Sequence, residues 1–251
     1  MYVTDHQGHM PGKEPIMGIW EMSGNYGGEK EVFHQNKLLM KCIQVGLFCT
    51  NCYLVMNEDT SEGLIIDPGA DPIKICYAID DMGMVPEAIL LTHGHFDHIM
   101  AVNELKRKYD IRVYILEAEA KLLSDPALNS STGLIRQPYT TSADVFLDDG
   151  DSVVLAGLTI KVIATPGHTV GGACYHLAKQ KILFSGDTLF YESIGRSDLP
   201  TGDSDLLIQS IRTRLACLPD DTYVLPGHGV TTSIRHEKRC NSYMRSNKYN
   251  E

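Results

Sequence analysis

Ala88–His98 reads AILLTHGHFDH, and this stretch decides how the rest of the chain is read. AILLT (88–92) is a short, continuous apolar run, the pattern of a strand buried on both faces. It leads straight into His93-Gly94-His95-Phe96-Asp97-His98, four good ligand side chains within six residues. Any one of these histidines, taken alone, is more often a hydrogen-bonded structural residue than a ligand. The pattern recurs, however. VIATPG (162–167) ends in His168, ILFSG (182–186) in Asp187, and YVLPG (223–227) in His228. Five of the 10 histidines therefore stand just beyond runs that read as strands. Rigid strands hold the loops at their ends while leaving them reachable, which is why sites are assembled there.

Ligand arithmetic follows. A structural zinc takes four protein ligands and a catalytic zinc three plus water. His93, His95, Asp97, His98, His168, Asp187 and His228 are too many for one ion, but they suit two ions with a carboxylate between them. Imidazole and carboxylate donors without thiolate are compatible with zinc, iron or manganese.

Outward from this stretch, strands and helices alternate from Met40 onward. Asp71 is placed to cap a helix with Pro72 at its first position and Gly83 past its end. Ile99, Val102, Leu105 and Tyr109 recur at helical spacing. Residues 124–143 form a polar connection long enough to be a functional loop. Paired strands follow, with turns at Asp148–Gly150 and Ala156–Gly157. Asp203 or Ser204 then caps a helix carrying Leu207, Ile211, Leu215 and Leu218, stopped by Pro219. This order predicts a single α/β layered domain over residues 40–251. Residues 1–39 are rich in glycine and proline and lack sustained periodicity, so a loosely structured N-terminal extension is expected there.

Composition narrows the function. The chain has 251 residues, a formal charge of −10, 43% hydrophobic and 22% charged residues, ordinary for a globular protein. Its acidity argues against a nucleic-acid partner, whose binding relies on a basic surface. The basic cluster Arg235, Lys238, Arg239, Arg245 and Lys248 reads as a solvated helix face. No apolar run reaches the roughly 18 residues of a membrane span, and no secretory signal is evident, so a cytoplasmic location is expected. Seven cysteines suit free thiols in a reducing compartment, and Cys49-x-x-Cys52 reads as two ordinary residues near a strand start.

The string His93-x-His95-x-Asp97-His98, with TPGHT (165–169), SGDTLF (185–190) and PGHG (226–229), resembles the metallo-β-lactamase superfamily. The likeness runs from about Met40 to Tyr243. It implies an αβ/βα sandwich, two β-sheets packed face to face with helices outside. Within the superfamily the chain is most similar to glyoxalase II-type (hydroxyacylglutathione) thioester hydrolases. That resemblance implies one metal on His93, His95 and His168, the other on Asp97, His98 and His228, and Asp187 bridging both. It also implies a metal-bridging hydroxide as nucleophile on a small-molecule thioester, with Asp97 orienting it or carrying a proton. Asp67, in IIDPG (65–69), is a candidate for orienting a ligand histidine. Arg196, nine residues after Asp187, stands where such enzymes carry a basic substrate contact, and arginine suits a carboxylate. Only 23 residues follow His228, too few for the helical domain that longer glyoxalase II enzymes use to contact glutathione. Three other readings share the motifs. One is a mononuclear iron persulfide dioxygenase using His93, His168, Asp187 and Arg196. The others are a lactamase-type or other ester hydrolase, and a non-catalytic metal-binding fold.

Overall fold

A computed structural model describes residues 20–22, 31–35 and 37–245. One sheet runs in the order β1 (Trp20–Met22), β2 (Glu31–Gln35), β3 (Leu38–Val45), β4 (Thr50–Asn57), β5 (Glu62–Ile66), β6 (Val85–Leu90), β7 (Arg112–Leu116) and β8 (Val145–Leu147). The second sheet is built from β9 (Ser152–Leu155), β10 (Leu158–Ala164), β11 (Ala173–Leu177), β12 (Ile182–Gly186), β15 (Tyr223–Pro226) and β16 (Thr232–Ser233). A small hairpin, β13 (Leu189–Phe190) and β14 (Ser193–Ile194), stands apart. Helices α1 (Pro72–Met82), α2 (Phe96–Ile99), α3 (Val102–Tyr109) and α4 (Ala120–Ser124) belong to the first half, α5 (Ser204–Ser210) and α6 (Ile234–Cys240) to the second.

The sandwich follows from how the apolar runs divide their side chains. Successive residues of a strand point to opposite faces, so a run apolar at every position must be covered twice. In β4, Tyr53 and Val55 face the second sheet, whereas Cys52, Leu54 and Met56 face the helices. In β12, Ile182 and Phe184 lie between the sheets and Leu183 lies under α5. The result is three apolar layers. One lies between the sheets, around Tyr175 and Phe184. A second lies under α1 and α3, with Ile75, Ile79, Val102 and Leu105. The third lies under α5 and α6, with Leu207 and Ile234. The expected αβ/βα sandwich is the fold.

Strands β5 to β8 pair in parallel, as do β12 and β15, while the remaining neighbours are antiparallel. Parallel neighbours need a crossover, supplied by α1 for β5–β6, α2 with α3 for β6–β7, the segment with α4 for β7–β8, and the segment with α5 for β12–β15. Helix α1 has Pro72 in its first turn and ends at Gly83, which takes the left-handed conformation (φ 64°). The expected cap by Asp71 is corrected, because its side chain makes no capping bond. Asp71 instead accepts the Gly46 N–H at 2.9 Å, tying the helix start to the β3–β4 turn. The helix expected from Asp203 is present with its cap, the Leu206 N–H donating to Asp203 Oδ1 at 2.9 Å, though its second half, Ile211–Leu215, winds as a π-helix.

Most of residues 1–39 lie outside the described residues, and β1 and β2, within that span, pair in series onto β3. All seven cysteines are free, with Cys52 buried between sheet and helices. Among the described residues no helix is long and apolar enough to cross a membrane.

Candidate metal centre

Four loops converge at one end of the two sheets. The first leaves β6 and enters α2, a single turn that holds Asp97 and His98, with His95 just before it. Phe96 anchors this turn. Its side chain is buried, its N–H donates to Asn129 O at 3.0 Å, and its ring meets Phe48 edge-on at 5.2 Å. The Asn129 carbonyl gives the 124–143 connection a definite task, which is to back the ligand helix. The second loop leaves β10 and is cinched by Thr165 N–H to Gly172 O (2.7 Å) and Gly167 N–H to Thr169 O (2.8 Å), presenting His168 between them. The third and fourth leave the parallel neighbours β12 and β15. A bond from Gly227 N–H to Gly186 O at 2.8 Å holds Asp187 and His228 side by side.

All seven sequence-predicted ligands come together. His95 Nδ1 lies 2.9 Å and His93 Nε2 3.2 Å from His168 Nε2. Asp97, His98 and His228 form a second cluster, with His228 Nε2 3.3 Å and His98 Nε2 3.8 Å from Asp97 Oδ2. Asp187 touches both clusters. Its Oδ2 is 3.6 Å from His168 Nε2 and 3.5 Å from His228 Nε2, and its Oδ1 is 3.4 Å from His98 Nε2.

The two clusters differ electrostatically. Burial holds His95 down at about 3, with His168 adding to the effect. Burial likewise pushes His93 well below the usual histidine range and lowers His168. These three imidazoles are therefore neutral near pH 7, the form in which imidazole binds a metal. Burial also opposes charge on His98, but Asp187, Asp97 and Asp67 outweigh it and raise its pKa well above normal. His228 is raised against burial by its bond to Asp97. Asp187 and Asp97 are lowered despite burial, chiefly by His98.

The donors fit metal ions. His95 Nε2, His98 Nε2 and Asp187 Oδ1 are buried without a hydrogen-bond partner, a costly condition that a cation relieves. Nitrogen and oxygen donors of this kind suit divalent first-row metals. Backbone shape agrees, because a Cβ on Gly227 would collide with Asp187 Oδ1 and stand 2.7 Å from His98 Cε1. Glycine leaves the space that those two ligands occupy.

Around the ligands, Asp67 has the place anticipated for it. Its Oδ2 is 3.0 Å from His98 Nδ1, and its two oxygens accept the Thr92 N–H (2.8 Å) and hydroxyl (2.6 Å). Arg196 reaches the rim by its backbone, whose carbonyl faces His168 Nδ1 at 2.5 Å. Its guanidinium, largely exposed, is held by Asp198 through two 2.7 Å bonds. Two residues were not foreseen. The Thr50 hydroxyl donates to Asp97 Oδ2 at 3.2 Å. Glu119 accepts the Gly94 N–H at 2.8 Å and the Gly171 N–H at 2.6 Å, one amide from each of the two histidine loops. Thr50 sits at the head of an apolar strand and Glu119 in the charged run EAEAK, where neither pattern separates it from an ordinary surface residue.

Fold and ligand order together define a class. The chain belongs to the metallo-β-lactamase superfamily, whose family model matches residues 45–228. Hydroxyacylglutathione hydrolase GloC of Haemophilus influenzae is 34% identical over 215 residues, which cover 82% of this chain and 98% of that protein. Among solved structures, the B3 metallo-β-lactamase BLEG-1 is 41% identical with a TM-score of 0.79, covering 82% of this chain and 100% of the other. TTHA1623 in a di-iron-bound form is 35% identical with a TM-score of 0.71, covering 80% and 98%.

Proposed function

We propose that this chain is a dinuclear metal-dependent hydrolase of small thioesters of the hydroxyacylglutathione kind. The observation that carries the reading is Asp187, one carboxylate within reach of both ligand clusters. The likeness to GloC supports the substrate class, and the likeness to di-iron TTHA1623 supports a metal pair. His93, His95 and His168 would hold one ion and Asp97, His98 and His228 the other, with Asp187 shared. Zinc suits this set, and iron and manganese have overlapping donor preferences. Two divalent ions, when bound, supply a Lewis acid for the acyl carbonyl and lower the pKa of water from about 15.7 toward 7.

The chain's own residues supply the rest. Asp97 and His228 are 16% and 27% exposed, whereas His98 is fully buried, so these two form the open side of the centre. We assign Asp97 to orient the attacking water or to pass a proton to the departing thiolate. Arg196 is assigned to the substrate's carboxylate, which it meets by exchanging its pairing with Asp198. We assign the hydrolase unit to residues 40–251 and an extension to residues 1–39.

Lactam hydrolysis is the second reading, favoured by the likeness to BLEG-1. One experiment separates these: metal content per purified chain, then S-lactoylglutathione, simple thioesters, a β-lactam panel and glutathione persulfide assayed side by side. The expected outcome is two ions per chain and thioester turnover above all others. Faster lactam turnover would move the assignment to the second reading. A single iron with oxygen uptake on persulfide would replace both with a dioxygenase, in which Asp97, His98 and His228 would have no ligand role.

A further inference from the structure

Glu119 sits where the charged run EAEAK passes behind the metal centre, at the end of a 3-10 turn (Glu117–Glu119) that leads into α4. It is fully buried, a rare condition for glutamate without a cation beside it. Its two oxygens are divided between two distant loops. Oε2 accepts the Gly94 N–H at 2.8 Å, between His93 and His95, and Oε1 accepts the Gly171 N–H at 2.6 Å, three residues past His168. Both amides belong to glycines, and both glycines press on the Glu119 segment. A Cβ on Gly94 would stand 2.7 Å from Leu122 Cβ, and a Cβ on Gly171 would stand 2.8 Å from the Glu119 nitrogen. Gly171 therefore packs backbone against backbone, Gly94 packs against the Leu122 side chain, and the carboxylate bonds at the seam.

We infer that Glu119 is a positioning residue that clamps the His93–His95 turn to the His168 loop and so sets the geometry of the three-histidine cluster. This rests on the dinuclear reading above and adds to it a division of labour. Asp67 orients the Asp97–His98–His228 cluster through His98, while Glu119 orients the other through the two loop backbones. Both oxygens of a carboxyl group can accept hydrogen bonds, so it satisfies two converging N–H donors without conflict. Glutamine of the same shape would turn an NH2 group toward one of them, leaving two donors facing each other.

The test separates the clusters by removing one at a time. Zinc affinity is measured by competition with a chromophoric chelator in His228→Ala, which keeps the three-histidine cluster, and in His95→Ala, which keeps the other. Adding Glu119→Gln is expected to weaken zinc about 10- to 100-fold in the first background, the usual cost of losing an outer support, and to leave the second unchanged. The cobalt(II) absorption spectrum should change shape in the first background only. A merely structural carboxylate would weaken both clusters alike, and that outcome, or unchanged affinity in the first background, overturns the clamp. If Glu119→Gln does not fold by circular dichroism, Glu119→Asp decides, since it keeps the charge but is too short to reach both amides. A loss confined to the three-histidine cluster supports the clamp, and no loss there overturns it. A wild-type chain that binds a single zinc would sink the dinuclear reading, while the comparison in His228→Ala would still decide the clamp.

Discussion

Asp187 is the residue on which the two ligand clusters meet, with one oxygen beside His98 and the other beside His168 and His228. Removing it should therefore cost more than removing any peripheral ligand. Asp187→Ala is expected to bind no more than one ion per chain and to lose thioester turnover with it; elemental analysis beside the assay checks both, and full activity would refute the assignment. Arg196 gives a different signature, because its side chain lies off the metal ligands and is paired with Asp198. A charge-assisted contact to substrate is worth about 1.5–3 kcal/mol, so Arg196→Ala should raise KM about 10- to 100-fold while kcat holds. A drop confined to kcat would place Arg196 elsewhere in the reaction. Asp187 and the histidines around it were legible in the sequence as candidates because imidazole and carboxylate at strand ends are uncommon in combination. Glu119 and Thr50 were not, since a buried carboxylate and a surface one look alike until the fold covers one of them.

At the scale of elements, the ligands depend on loops held by neighbouring backbone. The helix α5 cap is coupled to one of these loops: the Asp203 N–H donates to Gly167 O at 2.7 Å, next to His168, while the Asp203 side chain caps Leu206. Asp203→Ala should destabilise the fold by about 1 kcal/mol, the usual cost of a lost cap, read from urea unfolding of the metal-free chain. An unchanged midpoint would mean that backbone bonds alone hold that corner. Most elements were readable from hydrophobic period and punctuation, including α1 between Pro72 and Gly83. The exception at Asp71 has a physical cause: with Asp71 itself in the left-handed region (φ 51°), its carboxylate turns to the Gly46 amide from a distant turn instead of the helix it precedes. No local rule sees a donor 25 residues away.

Across the whole molecule, the unequal charge of the two clusters makes metal loading depend on pH. His98 and His228 have raised pKa values and keep their protons to higher pH than an ordinary histidine in the metal-free chain, and an ion entering their cluster must displace those protons. Each such proton weakens apparent affinity about tenfold per pH unit below its pKa. His93, His95 and His168 are lowered and hold none near neutrality. On acidification from pH 8 the Asp97–His98–His228 cluster should therefore empty first, seen as two separated steps in metal content; simultaneous loss would contradict this ordering. A chain beginning at residue 40 should keep thioester turnover, because the ligand loops all lie beyond β5. It would also lose the first two residues of β3, the buried Leu38 among them, and bare the edge that β2 now covers, and size-exclusion chromatography should show more self-association.

What the sequence by itself determined was the scaffold and the candidate ligands it carries. Seven imidazoles and carboxylates stand beyond apolar runs, and those runs are covered on both faces because they are apolar at every position. What only the tertiary structure decided was contact between parts far apart in the chain: Asp187 between two clusters, Asp67 behind His98, Glu119 across two loops. The reason is physical. A strand's period and a loop's residue types are local properties of the chain. Which amide a buried carboxylate accepts depends on backbone brought near it by packing, and that proximity is set by the closed sandwich as a whole.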